Sequence, residues 1–243
     1  MKNFASEDNT IQYSYSEIGK HHVDTESGNQ DSVFIGKVCD NTYCMVVSDG
    51  VSSCKYAKAG SEATIETIKS LATKLHLGEM TIVNLDEIKR FIVRDWKGRF
   101  EKEWNEYGTT LNFVIVWNSQ ALIGQIGDGL IIGDIDGESF YMTDMEEGYS
   151  VETFALAEVV LKSSIHLEIR RDINSIAAIA MTDGIGKELN MESINEFRKY
   201  FIELISKNNE KSISEEIELW MKQLRLKNDD DKTIGLLVLE GKA

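Results

Sequence analysis

The apolar positions in the first half of the chain follow a strand pattern and then a helical pattern. Two short apolar runs, at residues 31–38 and 43–48, are separated by turn-forming residues and predict a β-hairpin. Over residues 55–75 the apolar side chains recur at helical spacing. A second helix is predicted over residues 85–104, because its apolar positions share one face and Asn84 precedes it as a candidate N-cap.

Strand patterns return in the middle of the chain. Four apolar runs divided by Asn, Asp and Gly predict an antiparallel meander, with strands at residues 109–117, 121–126, 130–135 and 138–142. Residues 143–160 have weak periodicity and contain several acids. We therefore expect a flap at 143–160 rather than a regular element.

The last third of the chain predicts two strands, two helices and a final strand. In that order they lie at residues 164–170, 175–181, 194–204, 213–224 and 233–239. Ser212, with Glu215 three residues later, predicts a capping box at the start of the second helix.

The order of these elements indicates the fold class. It has no regular alternation of strand and helix, which disfavours a parallel, doubly wound sheet. No linker or charge block divides the 243 residues, so we predict a single α+β domain in which helix pairs cover antiparallel sheets. We expect the last strand to pair with early strands, because acidic motifs near both ends of the chain would then meet.

The composition narrows the possible partners. Apolar residues make up 42% of the chain, which is enough for a packed core, and the formal net charge is −15. Such acidity disfavours nucleic acid and anionic membrane surfaces as partners.

The chain shows no apolar run of the ~20 residues that span a membrane and no signal peptide. Its three cysteines lack metal-binding spacing, so we expect free thiols in a cytoplasmic protein.

Candidate chemistry comes from four short acidic motifs, each beside an apolar, strand-like run. They are Asn29-Gln30-Asp31-Ser32, Ser48-Asp49-Gly50, Thr182-Asp183-Gly184 and Asp229-Asp230-Asp231-Lys232-Thr233. A fold that gathers them would bring carboxylates together, and close carboxylates repel one another unless a cation lies between them. Oxygen ligands suit hard divalent ions such as Mg²⁺ or Mn²⁺. The pattern therefore indicates a metal-dependent enzyme.

With two further motifs, the chain resembles the metal-dependent PP2C (PPM) family of serine/threonine protein phosphatases, in particular its compact bacterial branch. The added motifs are Gly108-Thr109-Thr110-Leu111 and Ile126-Gly127-Asp128-Gly129, and the resemblance covers residues 14–239. A single Asp-Gly is weak evidence, whereas six motifs in the family's order are specific. The resemblance implies two packed antiparallel β-sheets, a helix pair on each outer face, and a binuclear metal centre at one end.

The resemblance also implies the site residues. The implied metal ligands are Asp31, Asp49, Gly50, Asp128, Asp183 and Asp230. Asp49 would bridge two Mn²⁺ or Mg²⁺ ions, the Gly50 carbonyl would be a further ligand, and Asp31 would act mainly through metal-bound water. Asp128 matches a position that the family links to a third, looser ion. Asp49, Asp183 and Asp128 are the implied catalytic residues.

The implied reaction is the hydrolysis of phosphoserine or phosphothreonine by a metal-bridging hydroxide. Two divalent ions lower the pKa of a bridging water and clamp the phosphoryl oxygens, so a side-chain nucleophile is not required. The implied partners are a phosphorylated protein substrate and a cognate serine/threonine kinase in bacterial signalling.

One departure from the family pattern keeps other functions open. Glu26 stands where many members carry an arginine that grips the substrate phosphate. His21 and His22 are candidate substrate-binding residues nearby, although both could be ordinary surface or packing histidines. Glu26 favours a pseudophosphatase, which binds a phosphoprotein without turnover. The set of retained aspartates favours an active enzyme over that alternative and over a metal-free scaffold.

Overall fold

Two antiparallel sheets form the centre of the molecule. The computed structural model describes residues 1–7, 10–143, 154–157, 160, 164–207 and 210–241. The strands are β1 (Lys2–Glu7), β2 (Thr10–Glu17), β3 (Ser32–Cys39), β4 (Thr42–Ser48), β5 (Leu111–Trp117), β6 (Gln120–Ile126), β7 (Leu130–Ile135), β8 (Glu138–Thr143), β9 (His166–Arg171), β10 (Ser175–Met181) and β11 (Lys232–Glu240). One sheet has the order β1-β2-β11-β10-β7-β8 and the other β3-β4-β5-β6-β9.

Each sheet carries a pair of long helices on its outer face. The helices are α1 (Lys20–Asp24), α2 (Ala57–His76), α3 (Leu85–Lys97), α4 (Asp183–Gly186), α5 (Ile194–Lys207) and α6 (Glu210–Leu224), with 3-10 turns at Trp104–Tyr107 and Met191–Ser193. Helices α2 and α3 share an apolar cluster with the five-stranded sheet. Helices α5 and α6 share another with the six-stranded sheet. Among the described residues, no helix is long and apolar enough to cross a membrane.

A third apolar cluster lies between the two sheets, and β4 shows how the sequence builds it. Cys44 and Val46 face the helices, whereas Met45 and Val47 face the opposite sheet. Successive side chains of a strand point to opposite faces, so a strand buried on both faces reads as a continuous apolar run. The predicted arrangement of two packed antiparallel sheets between helix pairs is confirmed.

Strand register brings the acidic motifs to one end of the molecule. In the six-stranded sheet, Met181 at the end of β10 lies opposite Leu130 at the start of β7 and Ile234 near the start of β11. In the five-stranded sheet, Ser32 at the start of β3 lies opposite Ser48 at the end of β4. The loops that flank these residues therefore meet. The predicted return of the last strand to early strands is confirmed, because β11 pairs with β2.

The predicted four-stranded meander is wrong. Strand β6 pairs with β5 and β9, whereas β7 pairs with β8 and β10 in the other sheet. The connecting turn carries the chain across the sandwich, and Gly127 within it has a φ of 95°, a left-handed conformation that favours glycine. Strands β5, β6 and β7 are buried on both faces over almost their whole length, so their periodicity does not reveal which neighbour each strand takes.

Several predicted boundaries also differ from the structure. The second helix ends at Lys97, before Gly98, and a separate 3-10 turn contains Trp104. Helix α6 begins at Glu210, so Ser212 and Glu215 lie inside it and do not cap it. The predicted cap by Asn84 is confirmed, since its side chain accepts a hydrogen bond from the Asp86 amide. Most of the flap predicted at 143–160 lies outside the described residues.

Candidate metal centre

Asp49 lies at the end of β4 and its backbone is fixed from both sides. Its amide donates to Thr110 Oγ1 over 3.0 Å. Its carbonyl accepts from the Thr110 amide and from Thr109 Oγ1, both over 2.8 Å. At the next position, a Cβ on Gly50 would lie 2.6 Å from the carbonyl oxygen of Ala57, so no other residue fits there. The Ser48-Asp49-Gly50 motif therefore holds one carboxylate in a defined place at the start of α2.

Asp31 joins the two sheets. Its Oδ2 accepts a hydrogen bond of 3.0 Å from Thr182 Oγ1, and the same oxygen of Thr182 accepts from the Thr233 amide over 3.1 Å. The Asp31 side chain is buried, and its Oδ1 has no hydrogen-bond partner among the described residues. Burial is the main cause that raises the Asp31 pKa to about 7, and the charge of Asp231 adds to it.

The carboxylates of both sheets influence one another. Burial raises the pKa of Asp49 well above its usual value, and the negative charges of three further aspartates raise it more. Those three are Asp31, Asp183 and Asp230. The pKa of Asp230 is also raised, first by burial and then by the charge of Asp183. Four of the five predicted metal-binding aspartates thus lie close enough for their charges to interact, as expected from the strand register that brings their loops to one end.

Lys187 is a basic residue within this acidic site. Its Nζ lies 2.6 Å from Asp128 Oδ2 and 2.6 Å from Asp183 Oδ2. In the part of the chain that is described, no three acidic, histidine or cysteine side chains converge tightly enough to hold an ion as they stand. At Asp183 the partner of the carboxylate is the Lys187 ammonium group. The sequence signal for Lys187 is its position four residues after Asp183, on the same face of a helical turn.

The Asp230 loop is held by Asp231 and Lys232, two residues of the same motif to which the sequence analysis assigns no role. Lys232 is buried, and its Nζ donates to the carbonyl oxygens of Asn228 and Asp230 and to Asn228 Oδ1, over 2.8 to 3.1 Å. The Asp231 carboxylate accepts hydrogen bonds from the backbone amides of Gly19 and Gln30, over 2.6 and 2.7 Å. Both residues stand in the same motif as Asp230 and fix the loop that presents it.

Both candidate substrate-binding histidines lie in helix α1, and Glu26 follows the helix. His22 is buried, and its Nδ1 lies 2.8 Å from Asp231 Oδ2. His21 and Glu26 are exposed, and Glu26 has a φ of 55° in the turn that follows the helix. The burial of His22 favours the packing role that the sequence also allowed, and a substrate contact for His21 stays a prediction.

The side chains at this end of the sandwich fit divalent cations. The set consists of carboxylate oxygens, which hard ions prefer. The buried Asp31 Oδ1 lacks a partner among the described residues, and burial together with the charges of neighbouring aspartates raises the pKa of Asp49. A cation beside the carboxylates would give the Asp31 oxygen a partner and would offset the repulsion between the negative charges. Asp31, Asp49, Asp183 and Asp230 are therefore the residues that would hold metal ions.

Comparison with known families agrees with this geometry. A family model described as protein phosphatase 2C matches residues 18–222. The chain belongs to the protein phosphatase 2C family. A comparison with curated protein sequences gave no match.

Solved structures share the protein phosphatase 2C fold over almost the whole chain. RsbX in complex with magnesium is 18% identical with a TM-score of 0.67, covering 99% of this chain and 100% of that chain. The serine/threonine phosphatase PstP/Ppp of Mycobacterium tuberculosis is 18% identical with a TM-score of 0.63, covering 95% and 99%. The catalytic domain of PstP with two manganese ions is 17% identical with a TM-score of 0.63, covering the same shares. At these identities the likeness shows the fold.

Proposed function

We propose that this chain is a Mn²⁺- or Mg²⁺-dependent phosphatase that hydrolyses phosphoserine and phosphothreonine in proteins. One observation carries the proposal: aspartates from both sheets are brought to one end, where their burial and mutual repulsion call for a cation. Family membership and the metal ions in RsbX and PstP also support a metal-dependent phosphatase. When bound, two divalent ions lower the pKa of water and neutralise the charge of a phosphoryl group.

The residues have different tasks in this proposal. Asp49 would hold both ions, because it reaches the site from a backbone that Thr109 and Thr110 fix, and the Gly50 carbonyl would be a further ligand. Asp183 and Asp230 hold one ion from the six-stranded sheet. Asp31 would act mainly by accepting a hydrogen bond from a metal-bound water, since its Oδ2 already accepts one from Thr182.

The substrate and its setting follow from the family. The acidic chain has no basic stripe in its sequence for nucleic acid, and a phosphorylated protein is the substrate class we propose, together with a cognate kinase in the bacterial cytoplasm. We further propose that the chain forms a single domain, and that residues 143–160 act as a flap that influences substrate choice.

Hydrolysis of an aryl phosphate by the purified protein tests this function. We expect activity only with added Mn²⁺ or Mg²⁺, loss in excess EDTA, and recovery when the metal is restored. Full activity in excess EDTA would refute the proposed mechanism.

Glu26 supports a second candidate, a pseudophosphatase. It is an exposed acid on the turn after α1, where many family members place a phosphate-gripping arginine. A pseudophosphatase would bind a phosphopeptide without releasing phosphate, with or without metal. Binding measured by fluorescence anisotropy, alongside phosphate release, separates the two candidates. Glu26→Arg should raise the activity of a true enzyme by lowering its KM.

A further inference from the structure

Lys187 forms a bridge between two loops at the proposed metal centre. Asp183 begins α4 and Lys187 directly follows its last residue, one helical turn later, whereas Asp128 comes from the turn that crosses between the sheets. The two carboxylate side chains are 16% and 12% exposed, and the lysine side chain is 52% exposed. One ammonium group therefore lies between two largely buried carboxylates, each at 2.6 Å.

An ammonium group and a metal ion compete for the same place in this arrangement. A divalent ion shared by Asp128 and Asp183 would bind the carboxylate oxygens that Lys187 Nζ now contacts. Two cations within contact distance of the same oxygens repel each other strongly at such a weakly hydrated position. The ammonium group is also attached to the chain one helical turn after Asp183, a spacing that places it beside that carboxylate.

We propose that Lys187 replaces the third cation at Asp128, so that this chain binds two metal ions and supplies the third positive charge itself. The inference rests on the proposed metal centre. Asp128 is then a positioning residue that holds the Lys187 ammonium beside Asp183. The contact uses Oδ2 of Asp183, and Oδ1 is not part of it. Asp183 can therefore contribute to a main ion while Lys187 remains in place.

Counting bound Mn²⁺ by equilibrium dialysis and elemental analysis tests the inference directly. We expect two ions on the wild-type protein and on Lys187→Arg, which keeps the charge. Lys187→Gln should bind a further ion, about 10–100-fold more weakly than the main pair. That ion should disappear in Lys187→Gln combined with Asp128→Asn. Lys227→Gln is the matched control, since Lys227 is also half exposed and contacts Glu188 at 3.6 Å, away from Asp128 and Asp183.

A second variant keeps the test decisive if Lys187→Gln folds poorly. Asp128→Asn alone should leave the Mn²⁺ count and affinity unchanged, because the ammonium and not an ion is its partner. Loss of one ion in Asp128→Asn, three ions on the wild type, or the same two ions on folded Lys187→Gln would each overturn the inference. A wild-type protein that binds no Mn²⁺ would instead refute the proposed metal centre, and the inference with it.

Discussion

Asp31 should make the metal-free protein less stable as the pH rises. In the folded protein its pKa is raised from 3.8 to about 7, so the folded state holds a proton that the unfolded chain has lost. The stabilising effect of that proton is fully present below pH 3.8 and is lost as the pH rises towards 7. The sign is therefore opposite to that of a salt-bridged aspartate.

The size of this effect follows from the pKa difference. At about 1.4 kcal/mol for each pKa unit, the difference between 3.8 and about 7 corresponds to roughly 4 kcal/mol of folding free energy. Asp49 shares part of this energy because the two carboxylates interact, so roughly 4 kcal/mol is an upper limit for Asp31 alone. Asp31→Asn removes the ionisable group but keeps an oxygen that can accept from Thr182.

Urea unfolding of the wild type and of Asp31→Asn in EDTA, between pH 4 and pH 8, measures the effect. We expect Asp31→Asn to gain stability relative to the wild type as the pH rises, by up to about 4 kcal/mol. Saturating Mn²⁺ should stabilise the wild type much more than the variant. Asp40→Asn is the control, since the Asp40 side chain is 94% exposed. If the difference in unfolding free energy between the wild type and Asp31→Asn stays constant over this pH range, the reasoning is refuted.

Three further predictions concern the supports of the site. Thr182→Val should lower the free energy of unfolding by about 1–3 kcal/mol in thermal or urea melts, because buried Asp31 and the Thr233 amide both lose a partner. Lys232→Met should weaken Mn²⁺ binding about 10–100-fold in calorimetry, because the Asp230 loop loses the buried ammonium group that binds its carbonyl oxygens. Unchanged affinity would show that the loop keeps its conformation without Lys232. Replacing residues 143–160 with a short polar linker should reduce activity on phosphoproteins more than on an aryl phosphate, and equal loss on both would indicate a structural element.

The architecture and the position of the site could be predicted because they depend on local patterns. Apolar runs and helical spacing specify most strands and helices, and an aspartate at the edge of a strand stays at that edge whatever the pairing. Strand ends such as Ser48 and Met181 therefore bring Asp49 and Asp183 to the same end of the sandwich. The family motifs supplied the rest, since no local pattern distinguishes these aspartates from ordinary turn residues.

Pairing and side-chain contacts were harder to predict. The crossing at Gly127 resembles a hairpin turn in the sequence, and only the tertiary structure shows that β6 and β7 lie in different sheets. Strands β1 and β2 contain many polar residues, and those at Thr10, Ser14 and Ser16 are buried, so the apolar pattern does not predict this N-terminal strand pair. The buried ammonium of Lys232 was also missed, because a lysine is usually a solvated surface residue.

Phosphate release from a phosphoserine peptide, followed while Mn²⁺ is titrated, tests the central claim most directly. The wild type should release phosphate with Mn²⁺ and should release none in excess EDTA, and Asp40→Asn should behave in the same way. Asp49→Asn should lose at least about 10–100-fold of the rate, because its carboxylate would serve both ions. Turnover by the wild type in EDTA, or more than about a tenth of the rate in Asp49→Asn, would contradict the account.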